Sequence, residues 1–387
     1  MTKPNDERNP NDESLRQQPV SGVGLRPSFV IRHFAFVILL ALVTFESAGG
    51  EPTPAPRLPR TNLLVYRGKN GELEPVKSKT DWQKRRATIL AGMQEVMGPL
   101  PGAQHRCPLD LKIESQTNCG SYVSRFITYS SEPGSRVPAY LLIPNGLIRG
   151  QKKASGILAL HPTEMKLGHR VVIEQLRENY PPYARELAER GFVVLAPAYP
   201  LMANYQPDLA ALGYKSGTMK AVWDNIRALD LLESLPFVRK GSFGAIGHSL
   251  GGHNSIYTAV FEPRIKVIVS SCGFDSFAHY MNGNIKGWCS DRYMPQLLQY
   301  QTHLEDVPFD FYELIGALAP RWVFINAPLG DSNFKSSSVD EIVHSARPVF
   351  DLYHASKRLT VEHPNCAHEF PEPMRVHAYR LFQNYLE

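Results

Sequence analysis

The chain has 387 residues, 43% hydrophobic and 20% charged, with a net charge of +5. That is an ordinary globular composition, long enough for one large domain or two smaller ones. The positive excess is not gathered into a basic block, so the electrostatic footprint of a nucleic-acid-binding protein is missing and no nucleic-acid partner is expected.

The N-terminus reads as a separate object. Residues 1–28 are polar and lack apolar periodicity. An apolar run of twelve follows at 34–45 (FAFVILLALVTF), with Arg26, Arg32 and His33 before it and Ser47, Ala48, Gly49 and Gly50 after it. A positive flank, a short apolar core and small residues are the pattern of a secretory signal peptide. The run falls short of the roughly 20 residues a bilayer span needs. A secreted or periplasmic protein is expected, with no stable membrane partner after cleavage. An uncleaved anchor through 34–45 is the alternative. Residues 51–60 (EPTPAPRLPR) read as a Pro-rich linker, so the leader, signal and linker occupy 1–60 and the folded body 61–387.

Export would place the five cysteines in an oxidising compartment. Cys107 and Cys119 flank a short strand pattern, and Cys272 and Cys289 are near in sequence. The odd count leaves at least one thiol outside any intrachain pair. None of the five has Cys-x-x-Cys spacing, and no His-x-x-x-His or His-Glu-x-x-His run appears, so no metal site is expected.

Residues 81–97 carry Trp82, Ile89, Leu90, Met93, Val96 and Met97 at helical spacing, closed by Gly98-Pro99. Segments 109–113, 122–129 and 137–143 read as antiparallel strands joined by turns. After residue 150 the pattern changes. Short continuous apolar runs at 156–160, 192–196, 242–246, 265–269, 322–326 and 359–361 alternate with helical segments at 183–190, 218–235, 254–261 and 339–355, and a last helix is expected at 374–386. Strands without alternation between amphipathic helices predict an α/β fold, a mostly parallel central sheet covered on both faces, with the N-terminal antiparallel strands beside it. One insertion, about 274–318, breaks the rhythm before the 322–326 strand. It is rich in aromatic residues and reads equally as a substrate wall and as a packing subdomain.

Residues 247–251 are Gly-His-Ser-Leu-Gly, between a strand pattern and a helix pattern. In that setting Gly-x-Ser-x-Gly predicts a sharp strand-to-helix turn that exposes Ser249 at a helix N-terminus. Side chains at the flanking glycines would collide with the neighbouring strand and helix. A serine hydroxyl needs a base, and the base an orienting acid. In chain order, Asp331 follows the 322–326 strand and His368 follows the 359–361 strand. Asp275 and His363 are the competitors. His248 and His253 neighbour the serine, but a side chain in such a turn points away from it, and His248 reads as a packing or hydrogen-bonding residue. The oxyanion formed on attack needs two backbone donors. The expected ones are the N–H groups of Leu250 and of Thr163 in the His161-Pro162-Thr163 loop, where proline has none to offer. His161 and Trp288 are the candidate substrate contacts.

The GHSLGG turn, the LHPT loop, the APLGD segment and the CAHEFP segment resemble the α/β-hydrolase superfamily, nearest its dienelactone-hydrolase, acetyl-xylan-esterase and prolyl-oligopeptidase-like branches. The likeness spans roughly residue 137 to the C-terminus. It implies a cofactor-free hydrolase with Ser249 as nucleophile, His368 as base and Asp331 as its orienter. The 81–143 region is too short for the propeller of the peptidases in this group, and dienelactone hydrolases proper use cysteine where this chain has Ser249. Both departures favour an esterase acting on a small-molecule or carbohydrate ester, the aromatic insertion suiting a sugar ring. A serine peptidase or amidase is the alternative, and a non-catalytic binding protein of the same fold a third reading.

Overall fold

The computed structural model of the protein describes residues 57–386, except 149, 151, 178 and 179. The polar leader, the 34–45 run and most of the Pro-rich segment lie outside the described residues.

A short hairpin comes first, β1 (Val65–Arg67) with β2 (Leu73–Pro75). Helix α1 (Lys79–Met97) follows. It starts where the Ser78 hydroxyl accepts the Asp81 N–H and stops at Gly98, whose φ of 89° no L side chain adopts easily. Its buried stripe of Trp82, Ile89, Met93, Val96 and Met97 is the one its periodicity predicts.

Three antiparallel strands come next, β3 (Lys112–Asn118), β4 (Tyr122–Glu132) and β5 (Ser135–Pro144), and then a single helical turn, α2 (Asn145–Ile148). The chain then alternates: β6 (Ala154–Leu160), α3 (Tyr183–Glu189), β7 (Val193–Pro197), α4 (Gly217–Ser234), β8 (Val238–His248), α5 (Leu250–Phe261), β9 (Ile265–Ser271). After the insertion come α6 (Phe311–Ala317), β10 (Trp322–Asn326), α7 (Ser336–Leu352), β11 (Leu359–Glu362) and α8 (Glu372–Leu386). Nine strands form one sheet in the order β11-β10-β9-β8-β6-β7-β5-β4-β3. Strands β6 to β11 are mutually parallel, and β5 joins them antiparallel through β7.

The continuous apolar runs have a direct cause. Leu158, Val193, Leu195, Ala245, Ile268 and Ile325 face a core shared with α1, α4, α5, α6 and α7. Their neighbours Ile157, Val194, Ile246, Val267, Val269 and Phe324 face a second core shared with α3 and α8. Both faces of the sheet are covered, so both sets must be apolar. Each of the valine, leucine, isoleucine and phenylalanine side chains among them, fully buried, contributes about 1.5–3 kcal/mol.

Three features differ from expectation. The first antiparallel strand lies at Lys112–Asn118, not 109–113, and all seven of its residues are exposed. An edge strand with no core face carries no hydrophobic alternation to read. Helix α5 starts at Leu250, four residues earlier than its apolar pattern, because the turn before it sets its first residue despite two glycines of poor helix propensity. The 57–60 end of the Pro-rich segment belongs to the folded body. Leu58 is buried, Arg57 pairs with Glu313 at 2.8 Å, and Arg60 pairs with Asp310 at 2.8 Å. All five cysteines are unpaired. Cys107 and Cys119 are held apart by β3, whose seven residues span roughly 3.3 Å each.

Candidate active site

The carboxyl ends of the parallel strands gather the residues singled out by sequence. Strand β6 lies between β7 and β8, so the chain order reverses around it, and ligands of open α/β sheets bind at the crevice such a reversal leaves. The loop after β6 carries Thr163, and the turn after β8 carries Ser249.

Ser249 has φ 53° and ψ −123°, a conformation that costs a non-glycine residue about 1–3 kcal/mol. The surroundings impose it. The Ser249 N–H donates to Ser271 O at the end of β9, 2.8 Å away. A Cβ on Gly247 would sit 2.1 Å from the Gly251 carbonyl carbon, and one on Gly251 would sit 1.9 Å from Leu160 O. Only glycine lets α5 press this closely on β6 and on the end of β8. The Ser249 hydroxyl does not cap α5. It stands at the helix N-terminus beside the first-turn N–H of Leu250, where the helix field favours negative charge.

His368 lies on the loop between β11 and α8. Its Nδ1 is 2.9 and 3.0 Å from the two Asp331 carboxylate oxygens. The Asp331 side chain is 1% exposed and that of His368 20%. Asp331 also accepts the backbone N–H groups of Asn333 and Phe334, at 2.8 and 3.2 Å. Burial raises its pKa, but the His368 hydrogen bond and charge and the two backbone donors outweigh burial and hold it below the usual carboxylate range. Nδ1–H is thereby committed to Asp331, which leaves Nε2 as the nitrogen with basic character.

The competing acid and histidine are engaged elsewhere. Asp275 is buried, and its Oδ2 accepts the Lys335 N–H at 3.0 Å, while burial pushes its pKa up to about 7. His363 Nδ1 lies 2.6 Å from Ala327 O, and its Nε2 lies 3.0 Å from Asp340.

His161, expected to touch substrate, is a clamp within the loop. It is 3% exposed, and its Nε2 accepts the Tyr199 N–H at 3.0 Å. The proton must then sit on Nδ1, which donates to Pro162 O at 2.7 Å. Burial lowers its pKa to about 4, so the ring stays neutral and ties the β6 loop to the β7 loop. Thr163 is exposed, and its hydroxyl lies 2.9 Å from the Tyr293 hydroxyl of the insertion.

The aromatic residues of the insertion pack into the core. Phe274, Phe277, Phe309 and Phe311 are at most 2% exposed and form core. Trp288 and Tyr293, also buried in this core, join Phe334 in an arc of rings. Phe334 lies 5.9 Å from His368, Trp288 lies 6.2 Å from Phe334, and Tyr293 lies 5.4 Å from Trp288 and reaches Thr163. Trp288 is 7% exposed, with its inner face stacked on His253 at 4.4 Å.

Two further side chains are neighbours of the His368–Asp331 pair. His248 is fully buried, but its ring centroid is 4.9 Å from that of His368, and its Nδ1 is 3.1 Å from Ser271 Oγ. Burial and then the His368 charge lower its pKa to about 3, so it offers a neutral wall to the second imidazole. Cys272 follows β9 as Ser249 follows β8, a register that would have flagged it. Its Sγ and ligand atoms of Asp331 and His368 lie within 4.8 Å of one another, a mixed set of sulfur, oxygen and nitrogen donors. The Asp331–His368 hydrogen bond already engages two of these three groups, and the thiol donates to Glu369 O at 3.2 Å.

The same architecture recurs in solved structures. A glucuronoyl esterase from Solibacter usitatus superposes with a TM-score of 0.68 at 17% identity, over 86% of this chain and 99% of that one. The catalytic domain of a glucuronoyl esterase from Hypocrea jecorina superposes with a TM-score of 0.57 at 16% identity, over 87% and 90%. The chain has the α/β-hydrolase fold. Among curated proteins, "Putative hydrolase YtaP" of Bacillus subtilis is 26% identical over 166 residues, which cover 43% of this chain and 53% of that protein. The matched segment therefore spans about half of that relative. No protein-family model matches the chain. In this α/β-hydrolase fold, Ser249, Asp331 and His368 occupy the loops after β8, β10 and β11, all at the carboxyl end of the sheet.

Proposed function

We propose that the protein is an exported serine hydrolase of carboxylic esters, carbohydrate esters among them, working through an acyl-enzyme. Ser249 Oγ attacks the ester carbonyl while His368 Nε2 takes the hydroxyl proton. Asp331 keeps Nδ1–H and stabilises the imidazolium that results. The N–H groups of Leu250 and Thr163 receive the oxyanion. Collapse breaks the ester C–O bond, and His368 returns the proton to the departing alcohol. Water then attacks the acyl carbonyl with His368 again as base, releasing the acid and free Ser249.

The observation that carries this reading is a strained Ser249 at a helix N-terminus, at the same carboxyl end of the sheet as a histidine bonded to a buried carboxylate. His248, adjacent to Ser249 in sequence, packs against that same histidine. Before substrate binds, a serine–histidine hydrogen bond is often long and tightens only in the complex. The arc from His368 through Phe334, Trp288 and Tyr293 to Thr163 supports a ring-shaped substrate group, and the likeness to glucuronoyl esterases supports a sugar ester.

A fluorophosphonate probe should label the wild-type protein and not Ser249→Ala. Turnover should be fast on p-nitrophenyl acetate and on acetylated or uronoyl-esterified sugars, and slow on peptide p-nitroanilides. Faster cleavage of the anilides would replace the esterase reading with an amidase one. Unchanged labelling of Ser249→Ala would remove the nucleophile altogether. N-terminal sequencing of protein recovered outside the cell tests cleavage after the 34–45 run.

A further inference from the structure

Behind the His161 loop lies a second hollow of about 310 Å³, with Phe126 of β4, Tyr140 of β5, His169, Lys166, Arg170 and Asn204 in its lining. Its floor is aromatic. Tyr140 lies 5.2 Å from Phe126 and 5.0 Å from His169, and the Phe126 and His169 rings are inclined by only 18°. His169 is 2% exposed, and among the described residues neither of its ring nitrogens has a hydrogen-bond partner. Both nitrogens are sealed from solvent, so the ring serves the hollow as an aromatic wall. The rim is cationic. Arg170 is paired with Glu174 at 3.0 Å, while Lys166 is exposed and has no ion-pair partner among the described residues.

We propose that this hollow is a binding site for a one-ring compound bearing a carboxylate, separate from the Ser249 centre. The ring face would lie on Phe126 and Tyr140, with the His169 ring as the inner wall, and the carboxylate would meet Lys166. The volume is at the small end of ligand pockets and fits a single ring better than a chain of them. Burial lowers the His169 pKa to about 3, so the imidazole is neutral and adds an uncharged aromatic face to the hollow. Two kinds of ring satisfy this chemistry, an aryl carboxylate and a sugar acid. The assignment does not depend on the ester-hydrolase reading.

Titration calorimetry on the intact mature protein with 4-hydroxybenzoate, with glucuronate and with neutral 4-hydroxybenzamide tests it. One of the two carboxylates should bind with a submillimolar Kd and the amide far more weakly; which carboxylate binds names the ring type. Lys166→Glu, at an exposed position, should weaken that binding on the order of tenfold or more. His169→Leu should weaken it as well, and Phe334→Ala, beside His368, should leave it unchanged. Absence of binding for both carboxylates up to about 10 mM overturns the proposal, that being the range in which only a few kcal/mol would be in play. Undiminished binding by a normally folded Lys166→Glu overturns it too, and so does loss of binding in Phe334→Ala.

Discussion

His253 offers a test of how tightly the insertion is locked onto the helix that follows Ser249. Its imidazole is fully buried, stacked between Tyr257 at 4.2 Å and Trp288 at 4.4 Å, with Phe311 edge-on at 5.4 Å. Among the described residues neither nitrogen has a partner, and burial alone lowers the pKa from 6.5 to about 3. A depressed histidine pKa means that the unfolded chain binds the extra proton between pH 6.5 and about 3, so stability falls with pH across that window. One pKa unit corresponds to about 1.36 kcal/mol. At pH 4.5 the unfolded-state histidine is two units past its ordinary value and the folded one still neutral, so the loss is on the order of 2–3 kcal/mol, against a few tenths at pH 7. His253→Phe keeps a flat ring in the stack and abolishes the proton uptake. Any packing cost it carries is the same at both pH values. In urea unfolding at pH 7 and pH 4.5, the variant should gain roughly 2–3 kcal/mol on the wild type on going to the lower pH. Parallel stability of the two proteins, within about 0.5 kcal/mol, would mean that the imidazole is hydrated or hydrogen-bonded, and the sealed aromatic stack would be refuted.

Asp331→Asn should leave the fold intact and lower turnover by roughly four orders of magnitude, because an amide facing Nδ1 favours the tautomer with Nε2 protonated and removes the base. Steady-state kinetics on p-nitrophenyl acetate, with circular dichroism for the fold, is the check; a loss under about tenfold would argue for Asp275 or another acid. Gly251→Ala brings a Cβ to 1.9 Å from Leu160 O, a clash that only backbone movement relieves. It should cost more than about 2 kcal/mol in thermal unfolding, and near-wild-type stability would contradict the close packing of α5 on β6.

The sequence alone carried the class of the fold. Continuous apolar runs such as 192–196 and 265–269 are what strands look like when helices cover both faces, and amphipathic stripes such as Met219–Val222–Ile226–Leu229 mark the covering helices. It also carried the Ser249 turn, because the glycines on either side answer a local steric demand that is written in neighbouring residues. The pairing of Asp331 with His368 was legible only as order along the chain, through the strand each one follows. Where a residue's role depends on partners distant in sequence, the letters are silent. His161 became a loop clamp because the Tyr199 N–H arrives from the next strand's loop, and His248 and Cys272 became neighbours of the site because β8, β9 and β10 end side by side. The acidic pair Asp310 and Glu313 took Arg57 and Arg60 from some 250 residues away, which turned the tail of a Pro-rich stretch into part of the body. Local sterics and periodicity act over a few residues, so a sequence displays them directly. Desolvation, charge pairing and ring packing act through space, and only the closed tertiary structure decides which groups they join.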